Sequence, residues 1–314
     1  MKKVSVTIVC YNNRGYLDGL LGSVFGQDYP DIEVVVVDNK SSDGSAEFIK
    51  ENFPKVRLIV NDKNEFFCKG QNDAIRGSSG EFVLALNTDV VLGPGFISAM
   101  VAAMEGDPKT GSVSGKILRG GGERVDTTGL YLGRDRRPVE RGYGELDEGG
   151  YETPGPIFGA GGAAPMYRRA MLDDVAIEGE FFDETYEMYY EDLDLAWRAA
   201  RRGWKGWYTP DAVAYHLRGG SAKSGAQPPG FIKRDFALIP PMLKAKLLRN
   251  RYLTMIKNDE PRDFIRNLPY ILAYELKVWA YVTLFSIKTI PEFIRGMKGA
   301  LAVARRRRGL VHAD

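Results

Sequence analysis

The sequence predicts an α/β protein, a doubly wound, mostly parallel sheet followed by a helical extension at the C-terminus. Three observations carry this expectation. Short, β-branched apolar runs alternate with helix-spaced stretches four times over roughly the first hundred residues. Each run has the length and apolar character of one strand buried in a parallel sheet. Each run also stops at polar residues, and in open α/β sheets the ligand crevice lies beyond the carboxyl ends of the strands. A strand–helix rhythm of this kind folds with right-handed crossovers.

Val4–Val9 (VSVTIV) is the first strand and ends at Cys10-Tyr11-Asn12-Asn13. Tyr16–Phe25 has helical spacing through Leu17, Leu20, Leu21 and Val24, and closes at Gly26. Ile32–Val37 is the second strand and ends at Asp38. Ser41-Ser42-Asp43-Gly44 then supplies capping residues for a helix over Ser45–Asn52. Val56–Val60 is the third strand, ending at Asn61, and Lys69–Arg76 a short helix stopped by Gly80. Val83–Leu86 is the fourth strand and ends at Asn87-Thr88-Asp89; Pro94 and Gly95 break the chain before a helix over Phe96–Met104.

After Gly111 the periodicity weakens. Ser112–Leu118 reads as a strand, and Arg119–Pro156 as an excursion rich in Gly, Arg and Glu, a hairpin or a mobile loop. Phe158–Gly162 (FGAGG) is a glycine-rich turn, Ala163–Tyr167 a strand, and Arg168–Leu172 the start of a helix. Glu191, Asp192 and Asp194 open a helix that runs through Arg202, with Leu193, Ala196, Trp197 and Ala200 at core spacing. Trp204–Tyr208 and Ala212–Tyr215 are two short strands, the second ending at His216.

Composition is that of a globular protein, 44% hydrophobic and 27% charged, with room in 314 residues for one large domain and an appendage. Cys10 and Cys68 make no disulfide framework, so a reducing, cytoplasmic setting is expected. The N-terminus runs straight into a strand, and no targeting peptide is expected there. The net charge of +2 hides an asymmetry: residues 231–314 hold 17 Lys/Arg against 7 Asp/Glu, so the remainder is acidic. A basic tail on an acidic body points to an anionic partner such as a membrane surface.

Polar groups able to hold a nucleotide close three strands: Tyr11/Asn12/Asn13, Asp38, and Asn87/Asp89. An acid after the second strand commonly bonds ribose hydroxyls or a base edge. No GxGxxG follows the first strand and no P-loop exists, so phosphates must be held another way. The oxygen-bearing side chains of Asn87-Thr88-Asp89 suit a hard cation, Mg²⁺ or Mn²⁺, shared with a diphosphate. His216, one of two histidines, ends a predicted strand beside Arg218-Gly219-Gly220-Ser221, and neutral imidazole is a common metal ligand. The carboxylates at 191, 192 and 194 are favoured by the helix dipole whatever else they do; Asp192 does more if it faces a cleft.

Taken in order, VTIVCYNN (6–13), VVVVDNKSSDGS (34–45), the stretch from Asn64 to Asn72, LNTD (86–89), FGAGGAAPMYRR (158–169), MYYEDLDLAWR (188–198) and YHLRGGS (215–221) resemble glycosyltransferase family 2. RNRYLTMIK (249–257) resembles that family's arginine-asparagine helix. The likeness is strongest to the branch of rhamnosyltransferases and galactofuranosyltransferases. It implies a GT-A fold, with a catalytic domain over residues 1–230 and a basic amphipathic helical region over 231–314. Residues 1–110 would be the nucleotide-sugar half of that domain and 111–230 the acceptor half.

The resemblance implies an inverting transferase that moves a sugar from a nucleoside diphosphate donor, dTDP-rhamnose or a UDP-sugar, to a saccharide acceptor. It implies a lipid-linked acceptor and a place in cell-surface polysaccharide synthesis. Tyr11, Asn13 and Asp38 would hold the nucleoside; Asn64, Lys69, Asn72, Asn87 and Thr88 would line the donor site. Lys69 either meets the donor phosphates or lies on the helix surface. Asp89 and His216 would bind the Mg²⁺ or Mn²⁺. Asp192, beside Glu191, would be the general base. The alternatives are a non-catalytic, membrane-docked scaffold that keeps the fold, and a nucleotidyltransferase, which would want a glycine- and arginine-rich first loop that is absent.

Leu268–Ile287 is long enough to span a bilayer but carries Glu275 and Lys277 near its middle. Each charge at a helix centre costs roughly 2.5–3.5 kcal/mol on insertion scales, so spanning is not expected. An in-plane amphipathic helix with a polybasic anchor at Arg305–Arg308 is expected instead, peripheral to the inner face of the cell membrane. The alternative is packing on the catalytic domain or on a second subunit of a homo-oligomer. Nucleic acid is not an expected partner, since no binding motif accompanies the basic residues.

Overall fold

The structure, a computed structural model, describes residues 1–218 and 239–312. Gly219–Ser221 of the YHLRGGS motif and the first residues of the basic region, 231–238, lie outside the described residues.

The first four strands fold as their sequences predict. β1 (Val4–Cys10), β2 (Ile32–Asp38), β3 (Arg57–Val60) and β4 (Phe82–Leu86) pair in parallel in the order β4-β1-β2-β3. Between them run α1 (Leu17–Phe25), α2 (Ser45–Asn52) and α3 (Phe66–Arg76). β5 (Val90–Leu92), α4 (Phe96–Glu105) and the ten-residue β6 (Thr110–Arg119) follow. The predicted excursion is folded: β7 (Val125–Thr127) pairs with β6, and β8 (Leu130–Leu132) with β9 (Pro138–Glu140) forms a hairpin. β10 (Gly155–Ile157), β11 (Met166–Arg168), α5 (Arg169–Asp174) and α6 (Glu191–Arg201) lead to β12 (Lys205–His216). The two strands expected over 204–215 are thus one, parallel to β6, with a register shift between Tyr208 and Val213.

The full order is β10-β12-β6-β11-β4-β1-β2-β3, with β5 on β12 and β7 on β6. The antiparallel insertion of β11 between β4 and β6 joins the two halves into one ten-stranded sheet. Alternation along β4 explains why both faces are covered. Phe82, Leu84 and Leu86 share a core with α1 and α4, whereas Val83 and Ala85 share one with α3, α5 and α6.

Among the described residues, four helices follow β12: α7 (Pro241–Asn258), α8 (Pro261–Phe285), α9 (Thr289–Met297) and α10 (Ala300–Val311). α7 packs on the catalytic body, with Asn250, Arg251 and Lys257 nearly solvent-free. α8 contains most of the predicted amphipathic segment, but it turns Glu275 inward to Arg251 and Tyr252 of α7. No described helix is long and apolar enough to cross a membrane. The expected polybasic anchor needs correction. Arg307 is buried on Glu180 and Asp183, Arg308 donates to the Ile256 and Asp259 carbonyls, and Arg306 pairs with Glu178. These arginines hold α10 to the protein because acids and free carbonyls meet them there.

Candidate active site

The carboxyl ends of β1, β2 and β4 stand side by side, since these strands are neighbours in the sheet. Asp38, at the end of β2, is 1% exposed; its Oδ1 accepts the Ser41 N–H at 2.8 Å, while Oδ2 is buried with no protein donor. A buried acceptor left in that state is one that a base edge or a ribose hydroxyl would satisfy. Tyr11 is exposed at the end of β1, and Asn13 precedes a short 3₁₀ turn.

Three of the expected donor residues make contacts within the protein. Asn64 accepts the Phe66 N–H at the start of α3. Lys69 pairs with Asp73 one turn along the same helix at 2.9 Å. Asn72 is fully buried and matches the N–H and C=O of Phe182 with its own amide, besides reaching Glu184. Its donors and acceptor are thus occupied in tying α3 to the chain ahead of α6.

A pocket of about 340 Å³ opens where β4, β7, β9, α6 and β12 converge. Asn87, Glu191, Asp192 and His216 of the expected set line it; Thr88 is buried next to Asn87. Asp126, Glu140 and Arg218 line it too, and sequence reasoning singled out none of them. Asp126 and Glu140 come from the excursion, where no periodicity or spacing ties them to Asp192 or to His216, which is 90 positions after Asp126. Pairing of β7 with β6 brings in Asp126, and β9, paired with β8, carries Glu140. Gly161 and Gly162 pass close by: a Cβ on Gly161 would sit 2.7 Å from Glu140 Oε2. A side chain at Gly161 would displace that carboxylate.

On one side of the pocket is an imidazole held between two acids. His216 Nδ1 lies 2.7 Å from Asp126 Oδ2, and Nε2 lies 3.2 Å from Asp89 Oδ1. Burial opposes protonation of the ring, but its hydrogen bonds to the two carboxylates outweigh burial and raise its pKa to about 9. A divalent cation would therefore displace a proton on binding. The donor set fits one. Two ligands at right angles around a cation with bonds of about 2.1 Å sit about 3 Å apart, close to the Asp89–His216 separation. Among the described residues no group of three or more His, Cys, Asp or Glu side chains forms a complete ligand set. Asp89 and His216 would leave the other positions to diphosphate oxygens and water.

On the other side is the start of α6. The chain enters through Glu187, Tyr189 and Tyr190, all with positive φ of 64° to 71°, a conformation costly for non-glycine residues. The Asn250 amide of α7 holds this loop by donating to the Tyr186, Met188 and Tyr189 carbonyls at 2.8–2.9 Å. Arg249 adds bonds to the Thr185 and Tyr186 carbonyls.

Both acids at the start of α6 reach the pocket, although adjacent helical residues point about 100° apart. Burial and then Asp192 push Glu191 up to about 8. Burial also raises Asp192, against the pull of the Leu193 and Gly162 backbone N–H groups. Glu191 Oε2 has no hydrogen-bond partner. Asp192 Oδ1 accepts the Leu193 N–H at 2.7 Å, a bond that favours its charged form. Burial and Asp192 push Glu140 up to about 8 as well. The arrangement puts an ionisable acid with no matching cation among the described residues in the same pocket as an imidazole suited to bind a cation.

A family model described as Glycosyl transferase family 2 matches residues 5–176. N-acetylglucosaminyl-diphospho-decaprenol L-rhamnosyltransferase of Mycobacterium tuberculosis is 28% identical over 247 residues, 67% of this chain and 75% of that protein. The fold is similar to that of the mannosyltransferase PcManGT from Pyrobaculum calidifontis in complex with GDP-Man and Mn²⁺. There the TM-score is 0.58 at 18% identity, covering 99% of this chain and 85% of that one. It is also similar to S. aureus TarS 1–349 in complex with UDP-GlcNAc, with a TM-score of 0.59 at 18% identity, covering 98% and 83%. The strand order, the strand-end chemistry and the match over more than half its length agree: this chain belongs to glycosyl transferase family 2, with the GT-A fold.

Proposed function

We propose that this glycosyltransferase is inverting and metal-dependent, using a dTDP- or UDP-sugar, with dTDP-rhamnose the first candidate. The acceptor is a saccharide carried on polyprenyl diphosphate, met at a membrane surface during polysaccharide synthesis. One observation carries the reading: a single pocket is lined by the half-buried acid Asp192, which pairs with no cation among the described residues, and by His216, whose Nε2 lies 3.2 Å from Asp89 Oδ1.

Tyr11, Asn13 and Asp38 bind the nucleoside, with Oδ2 of Asp38 the acceptor for a base or ribose donor. Asn87 and Thr88 flank the diphosphate. Asp89 and His216 would hold Mg²⁺ or Mn²⁺, which when bound neutralises charge on the leaving diphosphate. Asp192 Oδ takes the proton from the acceptor hydroxyl as that oxygen attacks the anomeric carbon. The bond from that carbon to the diphosphate oxygen breaks, its electron pair leaves with the nucleoside diphosphate, and the configuration inverts. Glu191, holding its proton to about 8, leaves the negative charge to Asp192. The low polarity that raises Asp192 also makes it a stronger base.

The membrane reading is supported by the outer face of α8. Ile265, Leu272, Leu276 and Leu284 are 50–75% exposed and lie along one side of the helix. The likeness to the mycobacterial N-acetylglucosaminyl-diphospho-decaprenol L-rhamnosyltransferase supports the acceptor class.

Nucleoside diphosphate release from dTDP-rhamnose, UDP-N-acetylglucosamine and GDP-mannose, with Mn²⁺ or Mg²⁺, tests the reaction. Release is expected from a dTDP- or UDP-sugar, lost with EDTA and in Asp89→Ala. Turnover indifferent to both would end the metal-dependent reading. In sedimentation with phosphatidylglycerol vesicles, the protein is expected to bind, and the triple change of Leu272, Leu276 and Leu284 to Gln to release it. Vesicle binding without turnover of any donor would favour the scaffold alternative; no vesicle binding would assign the α8 face to another partner.

A further inference from the structure

Asp126 belongs to none of the expected site residues, yet it is 2% exposed and aimed into the pocket's metal side. β7 carries it there by pairing with β6, itself the neighbour of β12 and His216. Its two oxygens have different partners. Oδ2 faces His216 Nδ1 at 2.7 Å; Oδ1 accepts the Arg218 Nε–H at 2.6 Å, with Arg119 Nε at 3.7 Å.

An imidazole binds a cation through a nitrogen lone pair, so the ring proton must sit on the other nitrogen. Here two carboxylates compete for it. If Asp89 wins, the proton is on Nε2 and the ring cannot coordinate; if Asp126 wins, it is on Nδ1 and Nε2 is free. The geometry favours Asp126, at 2.7 Å against 3.2 Å for Asp89. Asp126 is also fixed by its arginine partner, whereas Asp89 is the more exposed acid, at 14% against 2%.

We propose that Asp126 is the positioning residue of the metal side: by accepting the Nδ1–H of His216 it turns the Nε2 lone pair toward Asp89 and makes His216 a ligand for a divalent cation. This rests on the metal-dependent reading above. Asn at this position is predicted to be worse than a neutral mimic. Arg218 donates to Oδ1, so the amide oxygen of the variant turns to Arg218 and its NH₂ turns to His216 Nδ1. That nitrogen must then accept, and the ring proton moves to Nε2.

The test is Mn²⁺ binding to the full-length protein with UDP or dTDP present, followed by electron paramagnetic resonance. Asp126→Asn is expected to weaken Mn²⁺ binding by about 10–100-fold, at least as much as Asp126→Ala, and to remove the ¹⁴N coupling of His216 from the pulsed spectrum. Asp126→Glu should restore part of both. In a His216→Ala background, Asp126→Asn should cost nothing further, because it acts through that ring. Wild-type affinity and nitrogen coupling in Asp126→Asn would overturn the proposal alone, as would an equal loss with and without His216. A wild-type protein that binds no Mn²⁺ beside either nucleotide would overturn the metal reading with it.

Discussion

Asp192 and Asp194 are two residues apart on α6, the first half-buried at the pocket and the second fully buried, and opposite in electrostatic setting. Asp194 is fully buried and met on all sides: Arg198 at 3.0 Å, Lys257 at 2.8 Å, the Asn258 amide at 2.7 Å and the Tyr186 hydroxyl at 3.2 Å. Burial raises its pKa, but Lys257 and Arg198 outweigh burial and bring it below the usual range. Asp183 next to it is likewise held down by Lys257 and Arg307. Among the described residues Asp192 has no such cation, and burial leaves its pKa raised. Asp194 thus ties α6 to α7, and Asp192 is left to reactants. A buried charge matched by cations is structure, and one left unmatched beside a cavity is where chemistry is sought.

The comparison breaks most directly by neutralising each acid in turn. Asp192→Asn is expected to lower transfer by about 10²–10⁴-fold, with donor affinity and the unfolding midpoint near wild type. Asp194→Ala should instead destabilise the fold by about 3–5 kcal/mol, because it strands Lys257 and Arg198 in the interior. Turnover and urea denaturation of both variants check this. A stable, inactive Asp194→Ala or an unstable Asp192→Asn would reverse the assignment.

A smaller effect sharpens it through pH. Between 4.5, its unfolded value, and about 8, Glu191 keeps a proton in the folded chain that the unfolded chain releases. Its contribution is therefore greatest below 4.5 and is lost as pH rises to about 8. Asp194 has the opposite sign: its contribution is present above 3.8 and is lost as pH falls below that value. Glu191→Gln should consequently gain stability over wild type at pH 8–9, on the order of 1–2 kcal/mol, and match it near pH 4.5. An equal difference at both ends, read from thermal melts, would mean that Glu191 is not protonated in the folded chain.

The sequence by itself determined the first half of the molecule and the poles of its site. β1, β2 and β4 were legible because each is a short apolar run, and burial on both faces demands that pattern over consecutive residues. Asp38, Asp89, Asp192 and His216 were legible because each ends a strand or starts a helix, where local pattern and position coincide. Only the tertiary structure decided the rest. Asp126 and Glu140 sit on short strands paired with near neighbours in the chain, but the residues they meet in the pocket are distant in sequence, 90 positions for Asp126 and His216, and such a separation leaves no local signal. The same holds for the tail. Arg307 and Lys257 look like anchor residues by composition, but their charges are buried against Asp183 because α7 and α10 fold back onto the start of α6. Composition counts charges; only the folded contacts show which of them are already matched.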